Sequence, residues 1–360
     1  MVGKNAAHRP VAERGIALTA RIRIVGAGIT GLWQALTLAK AGFDVSLNDI
    51  SETPFANAAS RFAGAMLAPF CEAEAAEAIV SEQGLRSIAL WNDHYAETRN
   101  NGSLVVAAAR DLAELSRFAR ATTGHRWLDG AEIAALEPSL EGRFGRALFY
   151  AGEAHVEPRR AMSALLEAAR AAGCRTLFGK EHGAPPAPPG EGEWLIDCRG
   201  IAASANLAGL RGVRGEMLVI ETAEVTLSRP VRFLHPRIPF YIVPWRDGRF
   251  MIGATVIESG EGGAVTVRSA LELLGAAYAL HPAFGEARII ELGAGVRPAF
   301  ADNLPRIIRH GRHIHVNGLY RHGFLLAPVL AQTVLRVVAG DELTGEEAAE
   351  APFLSRSESP

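Results

Sequence analysis

One stretch, residues 21–49, constrains the fold of this 360-residue chain more than any other. Its apolar run Ile22–Val25 predicts a buried strand, and Gly26, Gly28 and Gly31 follow in a G-x-G-x-x-G pattern. In a strand–turn–helix unit the first glycine permits the tight turn and the second lets a pyrophosphate reach the backbone, while the third lets helix and strand pack closely. The pattern therefore predicts a dinucleotide-binding turn.

The residues after the glycines complete the unit. Leu32–Lys40 has apolar residues at helical spacing, Gly42 is placed to end that helix, and Val45–Leu47 predicts the next strand. Asp49 ends this strand, where its carboxylate can accept hydrogen bonds from a ribose hydroxyl pair. A chain with 37 glycines produces chance matches to the glycine pattern, so a merely structural βαβ unit is the alternative. The order of strand, helix, strand and acid favours the dinucleotide site.

Composition narrows the class of protein further. A hydrophobic content of 49% and a charged content of 21% are typical of a globular chain, long enough here for two domains. The net charge of −2 gives no reason to expect nucleic acid as a partner, and no apolar run approaches the roughly 18 residues that span a bilayer.

Three widely spaced cysteines, Cys71, Cys174 and Cys198, indicate a reducing compartment, which we take to be the cytoplasm. His313 and His315 alternate on a predicted strand, and we expect a surface role for them rather than a metal site.

Beyond the first unit, the amino-acid composition of the chain changes near residue 213. Segments rich in β-branched residues and broken by turns predict an antiparallel sheet. The clearest hairpin joins Phe240–Trp245 to Arg249–Ile257 through an Asp-Gly turn, and two-residue closure places Tyr241 opposite Ala254. A small residue facing Tyr241 leaves room for a ligand against the ring.

The last part of the chain, with a strand at Arg312–Val316 and a helix at Leu325–Ala339, returns to α/β character. The sequence thus predicts an α/β protein with a discontinuous Rossmann-like dinucleotide-binding domain and a second domain built on an antiparallel β-sheet, which the resemblance described next implies to be the FAD-binding and the substrate domain. The predicted ranges are 21–85, 146–212 and 293–345 for the first domain, 86–145 and 213–292 for the second, and 1–20 and 346–360 for flexible tails.

Six segments, in their order along residues 21–340, resemble the FAD-dependent D-amino-acid-oxidase-like family, and most of all its glycine oxidases of thiamine biosynthesis. They are GAGITGLWQALTLAKAGFDV, ASRFAGAMLAP, VRGEM, YIVPWRDGRFMIGAT, GVRPAFADNLP and NGLYRHGFLLAPVLA. There are two departures: Ala65 stands where relatives often have glycine, and Arg199 stands in a turn where a small residue is more usual.

The resemblance implies bound FAD, an antiparallel sheet over the flavin, and oxidation of glycine or a similar small amine to its imine. Oxygen would reoxidise the flavin and yield hydrogen peroxide, and the imine would supply thiazole assembly. The expected partners are a small amino acid or amine and O2, with neither nucleic acid nor membrane, and the enzyme can be a homo-oligomer. The alternatives are a D-amino-acid dehydrogenase or sarcosine-type oxidase of the same fold, and a flavin-binding protein without turnover.

The resemblance also implies roles for individual residues. Arg297 would clamp the substrate carboxylate, because its planar fork suits bidentate binding and the following Pro298 favours an extended backbone. Tyr241 would supply a neighbouring hydroxyl, and Arg321 a second cation, although a structural ion pair at a helix start is its alternative role. No side-chain base is evident and no metal ligands are expected. The implied cofactor residues are Gly26, Ala27, Gly28, Ile29, Gly31, Asp49, Ser60, Arg61, Gly64, Ala65, Met66, Gly200, Arg297, Arg321, His322, Gly323, Phe324 and Leu325.

Overall fold

The computed structural model describes residues 20–179, 186–235, 240–340 and 353–356. Within these residues the strands form two large sheets and one two-stranded ribbon. In chain order the strands are β1 (Arg21–Val25), β2 (Asp44–Asp49), β3 (Met66–Leu67), β4 (Ser103–Ala107), β5 (Arg126–Asp129), β6 (Arg146–Tyr150), β7 (Ala154–His155), β8 (Arg175–Phe178), β9 (Glu193–Asp197), β10 (Arg211–Glu221), β11 (Val231–Leu234), β12 (Phe240–Pro244), β13 (Arg249–Gly253), β14 (Ile257–Glu258), β15 (Arg288–Ala299), β16 (Arg306–His310), β17 (His313–Asn317) and β18 (Leu354–Arg356). The α-helices are α1 (Ile29–Lys40), α2 (Pro69–Glu72), α3 (Ala78–His94), α4 (Leu112–Ala121), α5 (Gly130–Leu136), α6 (Pro158–Ala171), α7 (Val267–Leu280) and α8 (Gly323–Val338).

The first sheet has the strand order β18-β16-β17-β9-β1-β2-β8, and β1 runs parallel to both of its neighbours. Apolar side chains on one face of the sheet share a core with α1, α6 and α8. Helix α1 begins directly after Gly28, three residues earlier than predicted. A Cβ atom on Gly31 would lie 1.9 Å from the carbonyl oxygen of Gly26, so only glycine lets this helix pack so closely on the turn.

The second sheet has the order β14-β10-β13-β12-β11-β4-β6-β5, and β15 pairs along β10. Its pairs are antiparallel except for β11 with β4, which are parallel. A separate core lies between this sheet and the helices α5 and α7. The two layers confirm the predicted α/β class and the predicted antiparallel second sheet.

The predicted hairpin is present, but its register is wrong by one residue. Tyr241 lies opposite Gly253 rather than Ala254, because Trp245 pairs with Arg249 across a three-residue loop. Asp247 and the following glycine both adopt positive φ angles in that loop. The residue that faces Tyr241 is small, as expected.

The proposed domain boundaries need three changes. Strand β6 and residues 293–299 of β15 were assigned to the FAD-binding domain, but they pair within the second sheet. Helix α3 was assigned mainly to the substrate domain, but it packs against α8 in the first layer. With these changes the two-domain division remains our proposal.

The predicted C-terminal tail is wrong at one point. Strand β18 pairs in parallel with β16, and the preceding Phe353 is buried in the first core. An apolar Phe-Leu pair in an otherwise polar tail therefore anchors it to the sheet edge. The predicted tail at residues 1–20 lies almost wholly outside the described residues. Within the described ranges, no helix has both the length and the apolar character needed to cross a membrane.

Candidate active site

A long groove, here called the cofactor groove, follows the carboxyl ends of β1, β2 and β9 and continues to the start of α8. This edge of a parallel sheet is where dinucleotides bind in doubly wound folds. Ten of the predicted cofactor residues line it: Gly26, Gly28, Ile29, Asp49, Ser60, Gly200, Arg297, Arg321, Gly323 and Phe324.

Asp49 holds the glycine turn in place at one end of the groove. Its Oδ2 accepts a hydrogen bond from the backbone N–H of Ala27 at 2.6 Å, and its Oδ1 accepts one from the N–H of Ser51 at 2.8 Å. Each carboxylate oxygen keeps a second lone pair, so the predicted ribose contact stays compatible with these bonds. Ala27 thus acts through its backbone and does not line the groove.

Two further residues that were predicted to bind the cofactor, Gly31 and Arg61, do not line the groove. Gly31 lies behind the turn, where it serves helix packing. The side chain of Arg61 points to Glu291, 3.9 Å away, and lies against the Phe62 ring. Arg61 therefore links its own segment of chain to strand β15 and does not point into the cofactor groove.

The residues of the groove fit a dinucleotide. Helix α1 has twelve residues, and its first-turn N–H groups are free of intrahelical partners and partially positive, which suits a pyrophosphate. The N–H of Ile29 donates to Ser60 Oγ at 3.2 Å, and the same Ser60 Oγ lies 3.6 Å from the position that a Cβ atom on Gly28 would occupy. The backbone there can approach a phosphate without a steric barrier.

A second cavity, here called the substrate cavity, meets the groove at Ala63, Arg297, Arg321 and Phe324, which line both. Five other predicted cofactor residues line this cavity instead: Gly64, Ala65, Met66, His322 and Leu325. Tyr241 lines it as well. The three predicted substrate residues thus all line the substrate cavity, with Arg297 and Arg321 at its junction with the groove.

Arg297 presents a half-buried guanidinium at this junction. Its Nη1 donates to the carbonyl oxygen of Thr255 at 3.1 Å, and no carboxylate of the described residues forms an ion pair with it. Burial lowers the pKa of Arg297, although arginine stays charged at any ordinary pH. A Cβ atom on Gly215 would lie 2.0 Å from Nη2, so this glycine is what lets the guanidinium lie flat on β10.

Tyr241 lies between two glycines. A Cβ atom on Gly64 would come within 2.6 Å of the ring, and one on Gly253 would lie 3.4 Å from the hydroxyl. Burial raises the pKa of Tyr241, while the Arg297 guanidinium opposes the shift. The hydroxyl is therefore neutral and available as a hydrogen-bond donor.

Glu72 and Arg232, which sequence reasoning missed, complete the cavity. Glu72 Oε1 accepts a hydrogen bond from Arg232 Nη2 at 2.9 Å, and Oε2 accepts one from Arg321 Nε at 2.6 Å. The Nε2 atom of His322 lies 3.0 Å from the same Oε2. Burial alone would raise the pKa of Glu72, but Arg321, His322 and Arg232 together hold it well below the usual range.

The inner part of the cavity is positive. There three guanidiniums, those of Arg232, Arg297 and Arg321, face one carboxylate, that of Glu72, so the formal charge of this part is 3 − 1 = +2. Arg232 lies directly opposite Tyr241 across strands β11 and β12. Arg321 forms the ion pair that was its alternative role and also lines the cavity. Such a site favours a small anion.

Cys71, which precedes Glu72, contacts a second buried carboxyl group, that of Glu153. Glu153 Oε1 accepts a hydrogen bond from the backbone N–H of Cys71 at 2.7 Å, whereas its Oε2 is buried without a hydrogen bond. Burial raises the pKa of Glu153 to about 7. The carboxyl group is therefore protonated over much of the acidic range in the folded protein.

Glu153→Gln should remove a pH dependence of stability. Because the folded pKa of about 7 exceeds the reference value of 4.5, the stabilising contribution is complete below pH 4.5 and is lost as the pH rises to 7. We expect the variant to gain roughly 3 kcal/mol in unfolding free energy over wild type between pH 4.5 and pH 8. Urea titrations of both proteins at these two pH values measure it. If the difference in unfolding free energy between variant and wild type is the same at pH 4.5 and at pH 8, the buried carboxyl group is not protonated as proposed.

Comparison with known proteins decides which ligand this site serves. Residues 21–336 match the family described as FAD dependent oxidoreductase (DAO). The chain belongs to this family. Its cofactor is FAD, and the protein is an oxidoreductase, which confirms the cofactor implied by the family resemblance.

Three relatives show how far the likeness extends. A protein of Rhizobium etli, named provisionally as the thiamine biosynthesis oxidoreductase ThiO, is 53% identical over 88% of this chain and 95% of its own. Glycine oxidase of Pseudomonas aeruginosa is 26% identical over 93% of this chain and 99% of its own. The crystal structure of glycine oxidase from Bacillus cereus has a TM-score of 0.77 at 22% identity, covering 95% of this chain and all of that one. At this low identity, the comparison with the crystal structure shows that the two chains share a fold, and no more.

The packing at Gly31 should control flavin content. We expect wild type to be yellow and to release FAD on denaturation, and Gly31→Ala to carry less than about a tenth as much FAD, because the new Cβ collides with the turn that holds the pyrophosphate. Gly275→Ala in helix α7 is the matched control, since no atom lies within 4 Å of its Cβ position. Flavin absorbance per folded protein, with far-UV circular dichroism, measures both. Full FAD content in Gly31→Ala would contradict the role of the turn.

Proposed function

We propose that this protein oxidises glycine, or a similarly small amino acid or amine, to the corresponding imine, and that O2 then receives the electrons to give hydrogen peroxide. The observation that carries the proposal is the half-buried Arg297 guanidinium, which has no ion-pair partner among the described residues. It lies where the substrate cavity opens onto the cofactor groove. A carboxylate bound there would place the adjacent Cα at the mouth of the groove.

The chain's own residues would bind and orient the substrate. The planar fork of Arg297 can hold both oxygens of a carboxylate, and the Tyr241 hydroxyl can donate a third hydrogen bond. FAD, when bound, accepts the two electrons that leave Cα. The N-terminal end of α8, with Gly323 and Phe324 in the groove, and the nearby Arg321 would stabilise negative charge at that end of the groove.

Proton removal needs no dedicated side chain in this scheme. The substrate ammonium can lose its proton to solvent, because the substrate cavity extends outwards to Glu74, Glu114 and Arg117, which lie near the surface. Glu72 is already engaged by three cationic or imidazole groups and is held ionised, so its assigned task is to position Arg232 and Arg321.

The name of the Rhizobium etli relative supports a place in thiamine biosynthesis, where the imine would supply thiazole assembly. The names of the glycine oxidases support glycine as the substrate. We further propose a cytoplasmic location, because all three cysteines are buried and unpaired. We also propose that the protein can form a homo-oligomer.

A peroxide assay over glycine, sarcosine, D-alanine, D-proline and glycerol 3-phosphate tests the proposal. We expect glycine or sarcosine to give the highest kcat/KM and one peroxide per amine oxidised. Dye reduction without oxygen, run in parallel, identifies a dehydrogenase of the same fold by activity with dye and none with O2. A flavoprotein that none of these compounds reduces would contradict the proposed function.

A further inference from the structure

A second cluster of polar side chains lies on the other face of the first sheet. Ile314 and Val316 of β17 belong to the core that the sheet shares with α1 and α8. Since successive residues of a strand point to opposite faces, His313 and His315 project from the other side. His315 is only 4% exposed, so the surface role that the sequence suggested for it is wrong.

Asp197 joins the two histidines because β9 runs parallel to β17. Its register partner on β17 is His315. One ligand atom of each of the three side chains lies within 4.8 Å of the others, and the two imidazole centroids are 4.1 Å apart. The sheet pairing, rather than a flexible loop, holds these groups together.

Two ring nitrogens in the cluster are buried and unsatisfied. His315 Nδ1 lies 3.3 Å from Asp197 Oδ2, a contact too long or too bent for a well-formed hydrogen bond, and His313 Nε2 has no partner among the described residues. Buried polar atoms in folded proteins are nearly always hydrogen-bonded or bound to an ion or water. The unsatisfied nitrogens therefore indicate a ligand that can accept their lone pairs.

We propose that Asp197, His313 and His315 form a binding site for one divalent transition-metal ion of the zinc type. Two imidazoles and one carboxylate are ligands that Zn²⁺, Co²⁺ and Ni²⁺ prefer, whereas Mg²⁺ and Ca²⁺ prefer oxygen alone. Three protein ligands leave at least one position for water. The H-x-H spacing on a strand supplies two of the ligands from one face, and the neighbouring strand supplies the third.

Arg199 limits how tightly the site can bind. Its Nε donates to Asp197 Oδ1 at 2.9 Å and its Nη2 donates to Oδ2 at 2.7 Å. An oxygen of a carboxylate has two lone pairs, so Oδ2 can accept this bond and still bind an ion. The nearby positive charge opposes a second cation, and we expect weaker binding than at a structural zinc site.

The ion would connect the sheet to the cofactor groove. Asp197 is the last residue of β9, and the next residues, Cys198, Arg199 and Gly200, line the groove. A metal bridge between β9 and β17 at this point would hold the start of that turn. We therefore expect metal to raise the melting temperature of the FAD-loaded protein and to slow FAD release.

Titration of the metal-stripped, FAD-loaded protein with Zn²⁺ and Co²⁺ by calorimetry tests the site. We expect one ion per chain, with a Co²⁺ absorption spectrum that shows nitrogen ligands. His313→Ala should weaken binding at least about tenfold, since it removes a ligand. His313→Gln serves the same purpose if the alanine variant does not fold.

His310→Ala is the matched control. His310 is exposed on β16, directly opposite His313, but lies outside the three-ligand cluster. The variant should bind metal like wild type. The proposal is wrong if wild type binds no stoichiometric ion, if His313→Ala binds as tightly as wild type, or if His310→Ala loses binding to the same extent.

Discussion

Arg297→Ala should retain FAD and lose more than about a hundredfold in kcat/KM. In wild type the guanidinium is half-buried, lies on Gly215, and has one protein acceptor among the described residues, the carbonyl oxygen of Thr255. A substrate carboxylate would supply the missing counter-charge. Without Arg297 the carboxylate would lose its water shell on entering the cavity and find no partner, which is costly.

Arg297→Lys should have a smaller effect. It keeps the charge but loses the planar fork, so one of two charge-assisted hydrogen bonds disappears. Such a bond contributes about 1.5–3 kcal/mol, which corresponds to roughly ten- to a hundredfold in kcat/KM. Affinity for glycolate, which mimics the carboxylate, should fall in parallel with kcat/KM.

Arg288→Ala is the matched control for both variants. Arg288 lies at the far end of the same strand, β15, with its side chain 83% exposed, and it should leave kinetics and flavin content unchanged. Near-normal kinetics in Arg297→Ala would contradict the carboxylate clamp. Loss of FAD with normal glycolate binding in the remaining loaded enzyme would contradict it as well, and Arg321 would be the next candidate.

Glu72→Ala should destabilise the protein by about 3 kcal/mol, the lower end of the range for a broken buried pair, because it removes the counter-charge shared by Arg232, whose side chain is 16% exposed, and Arg321, whose side chain is 29% exposed. Glu72→Gln keeps an acceptor of the same shape and should lose less. In both variants Arg321 becomes free to contact the substrate carboxylate in an unproductive position. We therefore expect kcat to fall more than KM rises.

Glu74→Gln provides the comparison for this second prediction. Glu74 lines the same cavity, but its ion pair with Arg117 is near the surface, with Arg117 half exposed. Exposed pairs contribute at most about 1 kcal/mol, so this variant should be nearly neutral. Urea unfolding of the FAD-loaded proteins and steady-state kinetics measure both effects. A Glu72→Ala variant within 1 kcal/mol of wild type would show that the network is not needed.

The parts of this molecule that follow from local chemistry were predictable. The glycine turn, the first helix and the acid at the end of β2 depend on residues within one stretch of chain, and all three are present in the predicted order, although the helix begins three residues earlier than predicted. The hairpin register depended on whether the loop has two or three residues, and the Asp-Gly signal alone does not distinguish the two. The shift of one residue placed Gly253, and not Ala254, opposite Tyr241.

The residues that the sequence missed meet only through the tertiary fold. Glu72 is separated by 160 residues from Arg232 and by 249 from Arg321, yet its carboxylate bonds to both. An acidic residue at the end of the apolar segment LAPFCE, and an arginine inside the β-branched strand VRFL, were the available signals. The unusual Arg199 is explained in the same way, because it pairs with the buried Asp197.

Anaerobic mixing of the yellow protein with glycine tests whether glycine reduces the flavin while Arg297 holds its carboxylate. We expect the flavin absorbance to bleach with a rate that saturates with glycine, and we expect admitted air to restore the colour with one hydrogen peroxide per flavin. Arg297→Ala, loaded with the same amount of FAD, should bleach at least a hundredfold more slowly at low glycine concentration. A flavin that stays oxidised with glycine and with every other small amine tested, or one that bleaches equally fast in Arg297→Ala, would contradict the account.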